Sequence, residues 1–244
     1  MIVGALIAVA LSAPPAAVVP PGARAAFAAV VRTTALEANA KYGGPFCPAA
    51  EVAPLSVEMV KVTGHPGIRA AHVRVRVSGC GRSSIQNVVA VRLVGNPPWA
   101  MVSGAPGDSL ADLSLQQNLW PIVLADAAAQ APKDCQSHEL ADVYVAARPG
   151  QVTLPAAGDA NPAVRIGRLN VRLAPQAAAE RASLDASKAW VEVWPLKMCG
   201  LDRTQAILLV PLRDKAAVLH VEIPVWQIDQ ADGPAAVLPP APAE

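Results

Sequence analysis

The chain has 244 residues, a formal net charge of +1 and 53% apolar side chains. It is too apolar for a disordered polymer and long enough for one large domain or two small ones. The near-neutral charge argues against a nucleic-acid partner, because such proteins need clustered cations to neutralise phosphates. The 24 prolines argue against a long helical bundle, since an interior proline removes a helix hydrogen bond.

The N-terminal residues predict a secretory signal peptide over residues 1–25. Ile2–Ala13 is an uncharged apolar run of about a dozen residues. That length suits the apolar region of a signal peptide but not a membrane span, which needs about twenty residues. Small residues allow cleavage after Ala10 or Ala25. We therefore expect a periplasmic or secreted protein without a membrane span after cleavage; a buried N-terminal strand or an uncleaved anchor is the alternative.

The first predicted helix runs from about Ala23 to Lys41, and Gly43 and Gly44 end it. Its expected buried stripe consists of Phe27, Val30, Val31 and Leu36.

The most specific feature of the sequence is an internal repeat. The stretches CGRSSIQNVVAVRL from Cys80 and CGLDRTQAILLVPL from Cys199 align without a gap and are identical at five of fourteen positions. The stretches CPAAEVAPLSV from Cys47 and CQSHELADVYV from Cys135 share their Cys, Glu, Ala and final Val. Helix-like sequence precedes each, so the order helix, Cys, strand, Cys-Gly, strand occurs twice. This predicts a tandem duplication; the alternative is chance similarity between stretches rich in alanine and valine.

The duplication also predicts the disulfide pairing. Four cysteines without a CxxC motif favour two disulfides in an oxidising compartment. If each copy keeps its own bridge, the pairs are Cys47–Cys80 and Cys135–Cys199. The second pair spans more residues, which predicts an insertion near residues 148–188, with a strand over 168–173 and a short helix over 176–185.

Alternating apolar residues predict strands in both copies. Examples are His72–Val77, Trp190–Trp194 and Leu219–Trp226, whereas the continuously apolar Ile207–Val210 predicts a strand covered on both faces. We therefore expect a strand-rich α+β fold made of two tandem copies of a helix plus an antiparallel β-meander; an all-β sandwich is the alternative. The expected organisation is a signal peptide over 1–25, a first copy with a connecting helix over 26–132, a second copy over 133–230, and a disordered Pro/Ala-rich tail over 231–244.

The predicted ligand-binding face lies on two strands of the second copy. Aromatic surface beside carboxylates can bind a sugar ring or a cation, so the expected partner is a glycan or another cell-envelope component. The alternative is that neighbouring segments cover the face and its tryptophans are core residues. The candidate residues are Trp190, Glu192, Trp194, His220, Glu222 and Trp226.

Residues 107–110 (Gly-Asp-Ser-Leu) resemble the tetrapeptide of the GDSL esterase/lipase family. The resemblance implies a serine esterase with Ser109 as nucleophile, but the family's later GxND block and Asp-x-x-His pair are absent here. A serine nucleophile also needs a base and oxyanion donors. The favoured interpretation is that Asp108 caps a short helix over residues 109–119.

No motif in the sequence indicates a metal, a cofactor or a catalytic residue. The chain has no Walker loop, GxGxxG, HExxH or EF-hand spacing. A local cationic strip, made of His72, Arg74 and Arg76 with nearby Arg69 and Arg82, predicts a solvated strand face; contact with anionic lipid headgroups or envelope polysaccharide is the alternative. We therefore expect a non-enzymatic binding or structural module of the cell envelope. The four histidines are scattered: His65, His72, His138 and His220.

Overall fold

A computed structural model describes residues 7–9, 23–62, 68–93, 99–153, 163–166, 169–172, 184–213 and 218–223. Two long helices among many antiparallel strands confirm the strand-rich α+β fold and exclude the all-β sandwich. The chain forms two compact units, residues 1–144 with 194–204 and residues 145–193 with 205–244. The predicted tail and most of the predicted helix over 176–185 lie outside the described residues. The predicted domain boundaries stay predictions.

The helices are α1 (Arg24–Lys41) and α2 (Leu113–Ala129). The strands before α2 are β1 (Ile7–Val9), β2 (Glu51–Val62), β3 (Ile68–Gly79), β4 (Arg82–Leu93) and β5 (Ala100–Ser103). The strands after α2 are β6 (His138–Leu140), β7 (Tyr144–Ala147), β8 (Val152–Thr153), β9 (Ala163–Ile166), β10 (Leu169–Arg172), β11 (Trp190–Trp194), β12 (Leu196–Met198), β13 (Leu201–Asp202), β14 (Gln205–Pro211) and β15 (Val218–Ile223).

Helix α1 forms where the sequence predicts it, and its C-terminus is closed by two glycines. The Gly43 N–H bonds to the Ala40 oxygen and the Gly44 N–H bonds to the Asn39 oxygen, which is the Schellman pattern. Gly43 has a φ of +82°, and a Cβ there would lie 1.7 Å from the backbone oxygen of His138. Only glycine fits this position without displacing the neighbouring backbone.

The buried stripe of α1 differs from the prediction at one residue. Phe27, Val31 and Leu36 are buried, but Val30 is 41% exposed, so its prediction was wrong. Phe27, Val31 and Ala35 follow each other at i+4, and the buried surface of the helix extends from this row toward Leu36, whereas Val30 lies on the opposite side of the row.

The first unit contains a five-stranded sheet in the order β1-β2-β3-β4-β5. On one face, the valines of β3 pack with β4 residues against α1, and this confirms the predicted alternation. The opposite face carries a smaller cluster in which Val60, Ala70 and Val89 pack with Leu113. The α1 face includes Val73, Val75, Val77, Val88 and Ala90.

Both predicted disulfides are present. Cys47 bonds to Cys80 and Cys135 bonds to Cys199. Each bridge holds a two-residue hairpin turn, because Cys80 and Gly81 join β3 to β4 while Cys199 and Gly200 join β12 to β13. The second turn belongs to a separate three-stranded sheet in the order β13-β12-β6.

The second unit contains a four-stranded sheet in the order β15-β14-β11-β7 and a three-stranded sheet in the order β10-β9-β8. Strand β14 is buried continuously from Ala206 to Val210, as expected of a strand covered on both faces. Strand β10 confirms the strand predicted within the insertion.

The N-terminal apolar run contributes strand β1, which pairs antiparallel with the end of β2. This arrangement corresponds to the alternative of an N-terminal strand, while signal cleavage stays a prediction. Ala25 lies inside α1, so cleavage there would remove the first two residues of the helix. Across the described ranges, neither helix combines the length and apolarity that a bilayer crossing requires.

Candidate functional site

The tryptophan strand β11 is buried at all five positions. Trp190 is 8% exposed, while Glu192 and Trp194 are 0% exposed. The Trp190 Nε1 donates a hydrogen bond of 2.8 Å to Glu192 Oε1. A buried carboxylate is costly unless donors satisfy it, so this indole N–H supplies part of the compensation.

The remaining candidates of the binding face lie on β15 or beyond it. His220 is directly across from Leu209, and Glu222 is directly across from Ile207. Strand β14 separates β15 from β11, so the two candidate strands share a sheet but are about 10 Å apart. Trp226 lies outside the described residues.

The burial of β11 decides how a ligand could reach this face. In the described structure, solvent does not reach Glu192 or Trp194, so a glycan would have to displace whatever covers them. Binding through Trp190, Glu192, Trp194, His220, Glu222 and Trp226 stays a prediction. The alternative, in which neighbouring segments cover the face and its tryptophans are core residues, also predicts this burial.

The segment containing the Gly-Asp-Ser-Leu tetrapeptide does not form the predicted helix cap. Asp108 pairs with the Arg74 guanidinium instead, and α2 begins only at Leu113. Asp112 is the N-cap, since its Oδ1 accepts a hydrogen bond of 2.8 Å from the Leu115 N–H. The prediction for Asp108 was therefore wrong: the segment contains two aspartates before Leu113, and the later one, Asp112, caps the helix.

A buried amide holds the backbone of the same segment against the first sheet. Asn87 Nδ2 donates to the Ala105 oxygen at 2.7 Å and to the Gly107 oxygen at 2.8 Å. Gly107 has a φ of +88°, and a Cβ there would lie 2.3 Å from the Val143 oxygen. The glycine of the tetrapeptide is therefore explained by tight packing against the backbone at Val143.

Ser109, His72 and His138 make hydrogen bonds to backbone or amide groups. Ser109 Oγ accepts a hydrogen bond from the Ala111 N–H at 3.1 Å, which is a local turn. His72 Nε2 lies 3.1 Å from Asn87 Oδ1, and His138 Nε2 lies 3.2 Å from the Lys41 oxygen. Both rings are therefore positioned by other groups.

The partners of Asn87 determine the tautomer of His72. Because Asn87 Nδ2 donates to two carbonyls, its Oδ1 must accept, and His72 Nε2 therefore carries the proton. Burial lowers the pKa of His72, and the Arg74 charge lowers it further, against opposing effects of the Asn87 hydrogen bond and the Glu58 charge. The imidazole is thus neutral near pH 7, with its proton on Nε2.

Asp142 makes a half-buried contact that the sequence did not reveal. Its Oδ1 accepts a hydrogen bond of 2.9 Å from the Ile85 N–H, which joins residues 57 positions apart. Burial raises the pKa of Asp142, while the Ile85 N–H and the Arg82 charge oppose this effect. No local pattern around residue 142 indicates this role, since the contact depends on the tertiary fold.

The cations of the predicted strand face are partly neutralised. Arg74 pairs with Asp108, and Arg82 lies 3.6 Å from a Glu139 carboxylate oxygen and donates to the Leu140 carbonyl. Arg76 is exposed. The face is thus a mixed-charge surface rather than a continuous cationic strip.

Comparisons with protein-family models, curated proteins and solved structures give no match to this chain. Within the described residues, no group of three or more His, Cys, Asp or Glu side chains is placed to hold a metal ion.

Proposed function

We propose that this protein is an exported, disulfide-stabilised module of the cell envelope, made of two tandem copies of an α+β unit and acting in binding or structure rather than catalysis. The observation that carries the proposal is the pair of disulfides, each of which fixes a Cys-Gly hairpin turn. Such bridges form and persist in the periplasm or outside the cell.

The duplication is supported by the conformation of the two turns. Cys80 and Cys199 both have a φ of +50°, and Gly81 and Gly200 both have a φ of +80°. Positive φ at both central residues is typical of a type I′ turn, in which asparagine, aspartate or glycine is preferred at the first position and cysteine is uncommon. Shared ancestry accounts for the same uncommon choice at both sites.

A non-enzymatic role is supported by the arrangement around Ser109. Its hydroxyl oxygen accepts from a backbone N–H two residues away, and the Asp of the tetrapeptide is paired with Arg74. Asp108 thus takes part in an ion pair, and Ser109 in a local turn. The esterase alternative predicts that Ser109→Ala abolishes ester hydrolysis, whereas the proposal predicts no serine-dependent hydrolysis.

Export is tested by expressing the full chain in a bacterial host and measuring the intact mass of the protein from each cell fraction. The proposal expects a periplasmic or secreted product lacking residues 1–10 or 1–25, with both disulfides recovered by non-reducing peptide mapping. A cytoplasmic product that starts at Met1 and carries four free thiols would refute it.

The binding component of the proposal places a glycan or other envelope ligand at the β11 face. Because Trp190 and Trp194 are buried, binding there requires an opening of the surrounding structure. At least one glycan of a panel should then shift the tryptophan emission of the original protein, and the Glu192→Gln variant should lose this shift. Thermal unfolding reports whether that variant is folded. If no glycan changes the fluorescence, this component alone is refuted.

A further inference from the structure

Strand β2 is paired along most of its length on one side only. Strand β3 pairs with Glu51–Val60, whereas β1 pairs with Val60–Val62 alone. Among the described residues, β1 is the one strand on this outer side. An edge of this kind offers unpaired backbone N–H and C=O groups to another strand.

The two halves of this outer edge differ in how they are protected. In the first half, Pro54 has no N–H, the register shifts between Pro54 and Ser56, and Leu55 is 43% exposed. Proline and bulges are features that prevent edge pairing in natural sheets. The second half, Val57–Val62, contains neither, so an added strand meets no such obstacle there.

Strand β1 indicates the chemistry that this half accepts. It runs antiparallel to β2, with Ile7 across from Val62, Ala8 across from Lys61 and Val9 across from Val60. The Val60 side chain is 5% exposed and belongs to an apolar cluster with Ala70 and Val89. Val9, the residue across from Val60, is β-branched and apolar, which favours cross-strand packing with a buried valine. The three residues of β1 follow the pattern apolar, small, apolar.

We propose that β2 residues Val57–Val62 form a docking site for an extended peptide strand of this pattern, supplied by another polypeptide of the cell envelope. The inference rests on the proposed function, because the chain's own strand β1 leaves the edge only if residues 1–10 or 1–25 are cleaved. Backbone hydrogen bonds supply the affinity in this mode, and alternate side chains supply the selectivity.

The test uses the processed protein recovered from an exporting host. The probe is a synthetic peptide of residues 6–11 (LIAVAL) with flanking lysines for solubility. Its control carries methyl groups on the backbone nitrogens of the residues equivalent to Ile7, Ala8 and Val9, which removes the donors and leaves the side chains unchanged. Hydrogen exchange followed by mass spectrometry reports protection along β2.

We expect the unmodified peptide to slow exchange in residues 57–62 by about tenfold and to leave residues 51–54 unchanged, with no effect of the methylated control. Equal effects of both peptides, or no protection of residues 57–62, would overturn the proposal. A dimer in light scattering, with residues 57–62 already protected from exchange in the absence of peptide, would assign the edge to a second copy and would also overturn it.

The failure of the proposed function is distinguishable from the failure of the docking site. If the exported or cytoplasmic chain retains Met1, processing has failed, and the full chain is compared with its Ala8→Pro variant. Proline removes an N–H and disfavours strand pairing, so peptide binding to the variant but not to the full chain supports the docking site. Absence of binding to both overturns it.

Discussion

Cys80 and Cys199 adopt the same left-handed backbone conformation, with a φ of +50°, although their turns join strands of different sheets. Each is bonded to a cysteine that follows a helix in the sequence, Cys47 after α1 and Cys135 after α2. For a residue with a Cβ, a left-handed conformation is unfavourable. Each disulfide therefore holds a turn that its own first residue disfavours.

The turn conformation predicts how each bridge tolerates replacement. Removing the first bridge as Cys47→Ala with Cys80→Asn should cost about 4 kcal/mol, the loop-closure estimate for a bridge of this span. Replacing Cys80 by Val instead should cost about 1–2 kcal/mol more, because asparagine tolerates positive φ and a β-branched residue does not. Urea unfolding measures both.

The second bridge provides the matched control for this prediction. Cys135→Ala combined with Cys199→Asn or Cys199→Val should show the same difference between asparagine and valine, since the φ values are equal. Equal stability of the asparagine and valine variants at either site would contradict the left-handed conformation of that turn.

Gly43 and Gly150 allow a second matched comparison. Both have positive φ, +82° and +87°, but a Cβ at Gly43 would overlap the His138 backbone whereas nothing lies within 4 Å at Gly150. Gly150→Ala should cost about 1 kcal/mol from backbone strain, and Gly43→Ala should cost at least about 2 kcal/mol more because backbone must shift. Thermal and urea unfolding of the two variants should rank them in that order; equal losses would rule out the close approach.

The local elements and the disulfide pairing could be predicted from the sequence because their signals are local or repeated. Helix α1 ends at two adjacent glycines, and the alternation in β3 places Val73, Val75 and Val77 on one face. The topology of the second half could not be predicted. The residues after Cys80 form one uninterrupted strand, β4, whereas those after Cys199 form β13 and then β14 in another sheet, although the two stretches are similar in sequence.

The candidate site was less predictable than the fold because burial depends on the partners of a face. Alternation places Trp190, Glu192 and Trp194 on one side of β11, but a covered sheet and an exposed one give the same pattern. The roles of Asn87 and Asp142 were not predicted at all. Each bonds to backbone distant in sequence, and such contacts leave no periodic signal.

His72 makes the stability of the protein depend on pH. Because burial lowers the pKa of His72 in the folded state below its usual value of 6.5, the unfolded chain binds the proton more tightly. The contribution of His72 to the free energy of unfolding therefore decreases as the pH falls below about 6.5. The His72→Gln variant should show a smaller decrease over the same interval.

The measurement is urea unfolding of both proteins between pH 5 and pH 7.5, together with an NMR titration of the His72 ring. Glutamine can still donate to Asn87 Oδ1, so the comparison isolates the charge from the hydrogen bond. An imidazole that titrates above 6.5, or an identical pH dependence in the variant, would contradict the prediction.

Asp142 should show the opposite dependence. Burial raises its pKa in the folded state above the usual value of 3.8, so the folded protein binds the proton more tightly than the unfolded chain. Its contribution to stability is therefore greatest at low pH and decreases as the pH rises through the folded-state pKa. Asp142→Asn keeps an oxygen that accepts from the Ile85 N–H and removes the charge. We expect this variant to gain stability relative to the original protein as the pH increases from about 4 to 7.

The companion variant Asp142→Ala separates the hydrogen bond from the charge. It removes the acceptor and leaves the Ile85 N–H without its side-chain partner, so it should lose about 1–3 kcal/mol at pH 7, whereas Asp142→Asn should lose none. If asparagine proves as destabilising as alanine at pH 7, the carboxylate charge itself holds the segment, through attraction to Arg82 and Arg74. Burial would then not be the dominant influence on this group.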